Sequence, residues 1–178
     1  MKLFLTSYLA GAKELVQNFL TQNDVQEILF IPTAANVEEY RDYVDEGIAV
    51  LKENGYDVTI LDVATTPHNK SVQAIKNSRC LCISGGNTFY LLQELKRNGL
   101  LDLIKQRVQD GMLYIGESAG AIITAGNIKY NQIMDDKMVA SELTDYSSLN
   151  LVNFAIVPHY GEFPFEESAM ETIRAYQS

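Results

Sequence analysis

Leu113-Tyr-Ile-Gly-Glu-Ser-Ala-Gly-Ala121 is an apolar run that stops on a glycine, presents a serine and restarts among small residues. Within it, Gly116-Glu117-Ser118-Ala119-Gly120 has the Gly-x-Ser-x-Gly form of a nucleophile elbow, a sharp strand-to-helix turn whose flanking positions leave no room for side chains. Such a turn would hold the Ser118 hydroxyl clear of a sheet, beside the amino end of the next helix, with the Ala119 N–H free to stabilise an oxyanion. A serine- and glycine-rich loop without chemistry fits the same residues, so the rest of the chain has to decide between the two.

Outward from this stretch, strand-like and helix-like segments alternate. Leu3 to Thr6 reads as a strand and Ala10 to Thr21 as a helix. Glu27-Ile-Leu-Phe-Ile-Pro32 reads as a buried strand stopped by proline, whose ring removes a donor. Helical spacing over Val37 to Asn54 is closed by Asn54-Gly55. Asp57 to Val63 is a further strand, Lys70 to Asn77 a helix, and Cys80 to Ile83 a strand that ends on Ser84-Gly-Gly-Asn87. Thr88 to Arg97 and Leu100 to Gln109 are helical, and Met112 to Ile115 leads into the elbow. Nearly continuous apolar strands in β-α repetition predict an α/β fold: a parallel sheet covered by helices on both faces, hence a three-layer sandwich.

Composition bounds the function. A chain of 178 residues, 47% of them hydrophobic, suits one domain with a full core, taken as residues 1–178. The net charge of −9 argues against nucleic acid or an anionic membrane as partner, since like charges repel at both surfaces. Cys80 and Cys82 would face the same side of one strand, where they cannot bridge each other; with no further cysteine to complete a metal or redox site, they predict buried thiols and a cytoplasmic location. The N-terminal stretch Met1 to Ala12 is faintly signal-like. Thr6 and Ser7 break its apolar run, however, and Leu9, Leu15, Val16, Phe19 and Leu20 continue it amphipathically, as a strand and a helix would. No run approaches the ~18 apolar residues that a membrane span needs.

Parallel sheets of this kind bind ligands at the carboxyl ends of their strands. Three candidate loops gather there: Pro32 to Asn36, Ser84-Gly85-Gly86-Asn87-Thr88, and the turn at Ser118. The second is a glycine loop opening a helix, whose N–H groups could hold an anion or oxyanion. A serine nucleophile also needs a base, and the histidines are His68 and His159. His68 follows Thr65-Thr66-Pro67 in a polar connection and reads as a loop residue. His159 ends the strand-like run Phe154-Ala-Ile-Val-Pro-His-Tyr160, which would bring it to the same sheet edge as Ser118.

Gly85-Gly86-Asn87-Thr88-Phe89, Tyr114-Ile115-Gly116-Glu117-Ser118-Ala119-Gly120-Ala121 and Val157-Pro158-His159-Tyr160, in this order, resemble the aspartyl dipeptidase (dipeptidase E) family of serine peptidases. That family also contains cyanophycinase and has the class I glutamine amidotransferase-like fold, a flavodoxin-like doubly wound sheet. The resemblance implies Ser118 as nucleophile, His159 as general acid and base, and the N–H groups of Gly86 and Ala119 as the oxyanion hole. Asn87 and Glu117 are candidate substrate contacts. Glu117 either lines the pocket, where it could meet a peptide's free α-amino group, or faces solvent at the turn.

Two family features are unmatched. The acid that orients the histidine belongs on a segment that would begin near Tyr176. Either the chain is C-terminally incomplete, with the last strand or strands of the fold lacking, or a glutamate close to His159 takes the role, with Glu162 the candidate beside Glu166 and Glu167. No arginine follows the histidine motif in Gly161 to Met170 to meet a substrate aspartate, and Arg174 is the only cation downstream. The expectation is a hydrolase of small peptides, acting through an acyl-enzyme, without strict selection of N-terminal aspartate, needing no metal or organic cofactor, and either monomeric or homodimeric. Two other classes share the motifs: a small esterase, in which Asp135, Asp136, Glu142 or Asp145 would bond His159, and a non-catalytic ligand-binding member of the fold.

Overall fold

Five parallel strands form one open sheet in the order β1-β5-β4-β2-β3. They are β1 (Leu3–Thr6), β2 (Glu27–Ile31), β3 (Asp57–Ile60), β4 (Cys80–Ile83) and β5 (Leu113–Glu117) in a computed structural model that describes residues 1–176. The helices are α1 (Lys13–Thr21), α2 (Asp42–Glu53), α3 (His68–Asn77), α4 (Thr88–Arg97), α5 (Leu101–Gln109), α6 (Ala119–Ile122) and α7 (Glu166–Tyr176).

The unbroken apolar character of the inner strands follows from burial on both faces. Leu29, Ile31, Leu81, Ile83 and Tyr114 point to one side, where Ile75 of α3, Phe89 and Leu92 of α4, Ile104 of α5 and Ile122 of α6 cover them. Their neighbours Ile28, Phe30, Cys80, Cys82, Leu113 and Ile115 point to the other, against Val16 and Leu20 of α1 and Val44 and Leu51 of α2. Both cysteines are thus free, buried thiols. The faces are shared out by the winding. From β1 to β3 the chain crosses the sheet one way, with α1 and α2 on one face; from β3 to β5 it returns, and right-handed crossovers then place α3, α4 and α5 on the other. The loops after β2 and β4 therefore diverge to opposite faces, which opens a crevice between them at the carboxyl edge.

Several predicted elements differ: the strand expected over Asp57 to Val63 ends at Ile60, Ala10–Ala12 of the expected first helix form a 3-10 turn, and His68, read as a loop residue, starts α3. Helical spacing over Val37 to Asn54 becomes a 3-10 turn over Thr33–Val37, an extended link, and a helix starting only at Asp42. Tertiary bonds decide this: the Asp62 carboxylate accepts from Thr33 Oγ1 at 2.8 Å and from Asn36 Nδ2 at 3.1 Å, pinning the turn at the end of β3. The run Phe154 to Tyr160 forms no strand. The backbone of Ile156 is satisfied by a side chain instead, since its carbonyl accepts from the Tyr130 hydroxyl at 2.8 Å and its N–H donates to the same oxygen at 3.0 Å. The faintly signal-like N-terminal residues are β1, paired with β5. Among the described residues no helix is long and apolar enough to cross a membrane.

The elbow packs onto the sheet through Gly120, where an added Cβ would lie 2.2 Å from the Ile83 carbonyl oxygen of β4. Gly120→Ala should therefore cost about 1–3 kcal/mol or more by overpacking, read as a lower urea midpoint. Gly99→Asn, at a φ of +60° with nothing within 4 Å, should stay within about 0.5 kcal/mol.

Candidate active site

Ser118 sits between the last residue of β5 and the first of α6 with φ 44° and ψ −104°, a conformation sparsely populated by non-glycine residues. It is held there from both sides. Its N–H donates to the Thr6 carbonyl of β1 at 2.9 Å, and its own carbonyl accepts from the N–H groups of Ala121 at 2.8 Å and Ile122 at 2.9 Å. This leaves the side chain at the crevice, where Ser118 Oγ and His159 Nε2 are 3.0 Å apart.

His159 comes from an irregular loop rather than a strand end. Its φ is +60°, so Ser118 and His159 are two of the four non-glycine residues with positive φ among the described residues. Its N–H donates to Ser7 Oγ at 3.1 Å, its carbonyl accepts from the Glu162 N–H at 3.0 Å, and its ring stacks on Phe165 with centroids 4.5 Å apart. Burial lowers the imidazole pKa below its ordinary 6.5, against a smaller opposite pull from Glu162. At neutral pH the ring is uncharged, the form that can accept a hydroxyl proton. Ser7 and Phe165 carry no motif. Ser7 was findable as the residue following the strand that borders β5, whereas nothing in the sequence marks Phe165.

Gly86 has φ +125°, and a Cβ there would lie 2.3 Å from the Ala34 carbonyl carbon, so glycine is required on both counts. The Asn87 N–H donates to the Ala34 carbonyl at 2.9 Å and fixes the loop against the 3-10 turn. Among the described residues the N–H groups of Gly86 and Ala119 have no acceptor. The Asn87 side chain, expected to meet substrate, is engaged elsewhere. Its Oδ1 accepts from the N–H groups of Phe89 at 3.1 Å and Tyr90 at 3.0 Å, capping α4, while Nδ2 donates to the Asp136 carbonyl at 2.9 Å.

Glu117 neither lines an open pocket nor faces solvent. It is 1% exposed, with Oε1 accepting from the Leu9 N–H at 2.7 Å and Oε2 from the Gly85 N–H at 3.2 Å. Because β5 lies between β1 and β4, the side chain ending β5 reaches the loops that follow both neighbours. Burial outweighs these two bonds and pushes its pKa up to about 6.

Among the described residues no carboxylate bonds the His159 ring. Glu162 closes the turn through its N–H, and Glu166 and Glu167 open α7. The acids between serine and histidine are committed elsewhere: Asp135 Oδ2 accepts from the Thr88 N–H and from Asn131 Nδ2, both at 2.8 Å, Asp136 caps Met138, and Asp145 pairs with Lys96. The Glu142 N–H donates to Gln93 Oε1. The exposed His68 ring bonds the Asn98 carbonyl, and Arg174 is exposed on α7. No three His, Cys, Asp or Glu side chains among the described residues converge as a metal site would.

A strained serine, a neutral histidine in contact with it and two open N–H groups are on one sheet edge, and the profile of peptidase family S51 matches residues 3–178. The chain belongs to peptidase family S51. It is 43% identical to the uncharacterized peptidase PM1590 of Pasteurella multocida over 99% of this chain and 86% of that protein. It is 35% identical to peptidase E of a Nostoc species, over 86% of this chain and 60% of that longer protein. The crystal structure of a protein assigned as a candidate peptidase E from Listeria monocytogenes superposes with a TM-score of 0.95 at 43% identity, covering 99% of this chain and 88% of that one. The dipeptidase E resemblance and the α/β fold both hold, and this family member is a serine-type peptidase.

Glu117→Gln would set a donor against the N–H of Leu9 or Gly85, at a cost of about 1–3 kcal/mol at neutral pH. Because the folded-state pKa of Glu117 is raised from 4.5 to about 6, its contribution favours folding at low pH and is lost as pH rises through that interval. Urea titrations from pH 4 to 7 should show a shallower fall in stability for the variant, the two proteins differing in slope by roughly 2 kcal/mol across the interval.

Proposed function

We propose that this family S51 member hydrolyses short peptides from a free N-terminus, as a dipeptidase or aminopeptidase, through an acyl-enzyme on Ser118. The observation that carries the reading is the 3.0 Å contact between Ser118 Oγ and His159 Nε2, beside two N–H groups that have no acceptor among the described residues. In this reading His159 takes the hydroxyl proton as Ser118 Oγ attacks the peptide carbonyl carbon. The N–H groups of Gly86 and Ala119 receive the oxyanion, His159 Nε2–H protonates the leaving amine, and water repeats the sequence to release the acyl group.

Orientation of the ring, which a third acid would otherwise provide, is supported by the Phe165 stack and by the two backbone bonds of His159. Glu162 favours the imidazolium through space. A small peptide is the proposed partner. The reading includes no metal or organic cofactor, and the acidic chain is expected to avoid nucleic acid and anionic membrane.

Ser118→Ala should lower kcat/KM on a dipeptide panel by about a millionfold, and His159→Gln by a similar factor. A fluorophosphonate should label wild type at Ser118, located by peptide mass mapping. An NMR titration of the His159 ring protons should give a midpoint below 6.5, with activity rising as the ring deprotonates. Hydrolysis unaffected by Ser118→Ala would refute the assignment.

A further inference from the structure

Near the start of α2, Tyr43 lies over the same glycine that the nucleophile touches. A Cβ built on Gly85 would sit 3.4 Å from Ser118 Cβ, 3.4 Å from Tyr43 Cε2 and 3.8 Å from Glu117 Cγ, so these three side chains converge on the space that Gly85 leaves open. Tyr43 Cε2 is the ring carbon next to the one bearing the hydroxyl. That hydroxyl is screened from solvent and has no hydrogen-bond partner among the described residues. An unpaired polar atom in such a position is unfavourable in the empty site and is relieved when a ligand supplies the partner.

The surrounding charge selects which partner. Besides burial, Glu38 and Glu117 both act on the Tyr43 hydroxyl to hold its proton, and Asp135 adds weakly to them; Arg41 is the cation that opposes them. Glu46, bonded to the Tyr8 hydroxyl, bears on Glu117, and Glu162 bears on His159. The nucleophile thus lies in a field that carboxylates dominate. In those surroundings the Tyr43 oxygen suits a donor carrying positive charge.

In a peptide with a free N-terminus the α-nitrogen is two bonds from the first carbonyl carbon. When that carbon meets Ser118 Oγ, this tether holds the α-ammonium close to the serine, and Tyr43 and Glu117 converge on Gly85 beside it. We propose that the Tyr43 hydroxyl oxygen accepts a hydrogen bond from the substrate's α-ammonium group, so that the enzyme favours peptides with a free amine and a neutral or basic first residue over aspartyl and N-blocked ones. The proposal rests on the acyl-transfer reading above, because it places the α-ammonium by the attack of Ser118. It deepens that reading by naming the substrate class and a residue that determines it.

The test compares Ala-Ala, Lys-Ala, Asp-Ala and N-acetyl-Ala-Ala as substrates of wild type and Tyr43→Phe, with fluorophosphonate labelling of both proteins. Wild type should cleave Ala-Ala and Lys-Ala at least tenfold better than Asp-Ala, as kcat/KM. Tyr43→Phe removes a bond to a charged group, so its preference for Ala-Ala over N-acetyl-Ala-Ala should fall roughly tenfold to a hundredfold, chiefly through KM. Its thermal midpoint should be equal or higher, because the deleted hydroxyl was unpaired; a merely structural role would move the midpoint and leave the preference alone. Glu38→Gln should raise KM for Lys-Ala more than for Ala-Ala. Labelling and cleavage by wild type together with an unchanged preference in Tyr43→Phe, or a wild-type preference for Asp-Ala, would overturn this proposal alone. Absence of both labelling and cleavage in wild type would overturn the acyl-transfer reading and this proposal with it.

Discussion

The carboxylate of Glu117 is buried one residue before Ser118, and the site is assembled around it. It accepts the N–H of Leu9 after β1 and that of Gly85 after β4, tying the loops on either side of β5 to the strand that presents the serine. The clamp adds hydrogen bonds to the direct packing of the glycine loop on the elbow, where a Cβ on Gly85 would lie 3.4 Å from Ser118 Cβ. Burying a carboxylate is unfavourable, and the raised pKa of Glu117 records that cost. A few tenths of an ångström between two N–H groups is a distinction that catalysis by oriented donors requires.

Steric fit works with this clamp. Gly120 passes so close to the Ile83 carbonyl, and Gly86 to Ala34, that neither position admits a Cβ. These contacts, with the bond from Ser118 N–H to Thr6, over-determine a backbone that Ser118 would not adopt in isolation. The positive φ of His159 is held in a comparable way, by Ser7 on one side and the turn to Glu162 on the other. Both strained residues belong to the pair at 3.0 Å.

Glu38 and Glu117 act on Tyr43, where Arg41 opposes them, while Glu46 acts on Glu117 and Glu162 on His159. Membership of family S51 establishes the enzyme class and fold.

Strands β1 to β5, four of the helices that cover them and the elbow were legible in the sequence, because burial on both faces writes unbroken apolar runs and because the close approach at Gly116 and Gly120 writes glycine. Ser118, His159 and Gly86 were legible for a related reason, since each belongs to a short motif at the end of an apolar segment. The sequence by itself therefore determined the parallel α/β architecture and singled out Ser118 and His159 as candidates. Only the tertiary structure decided that α2 starts at Asp42, that residues 154–160 run as a loop, that Asn87 caps a helix, that Glu117 is a buried clamp, and that Ser7, Phe165 and Tyr43 stand beside the site. Most of those outcomes depend on a partner far away in the chain, and local periodicity reports which face of an element is buried without reporting what meets it there.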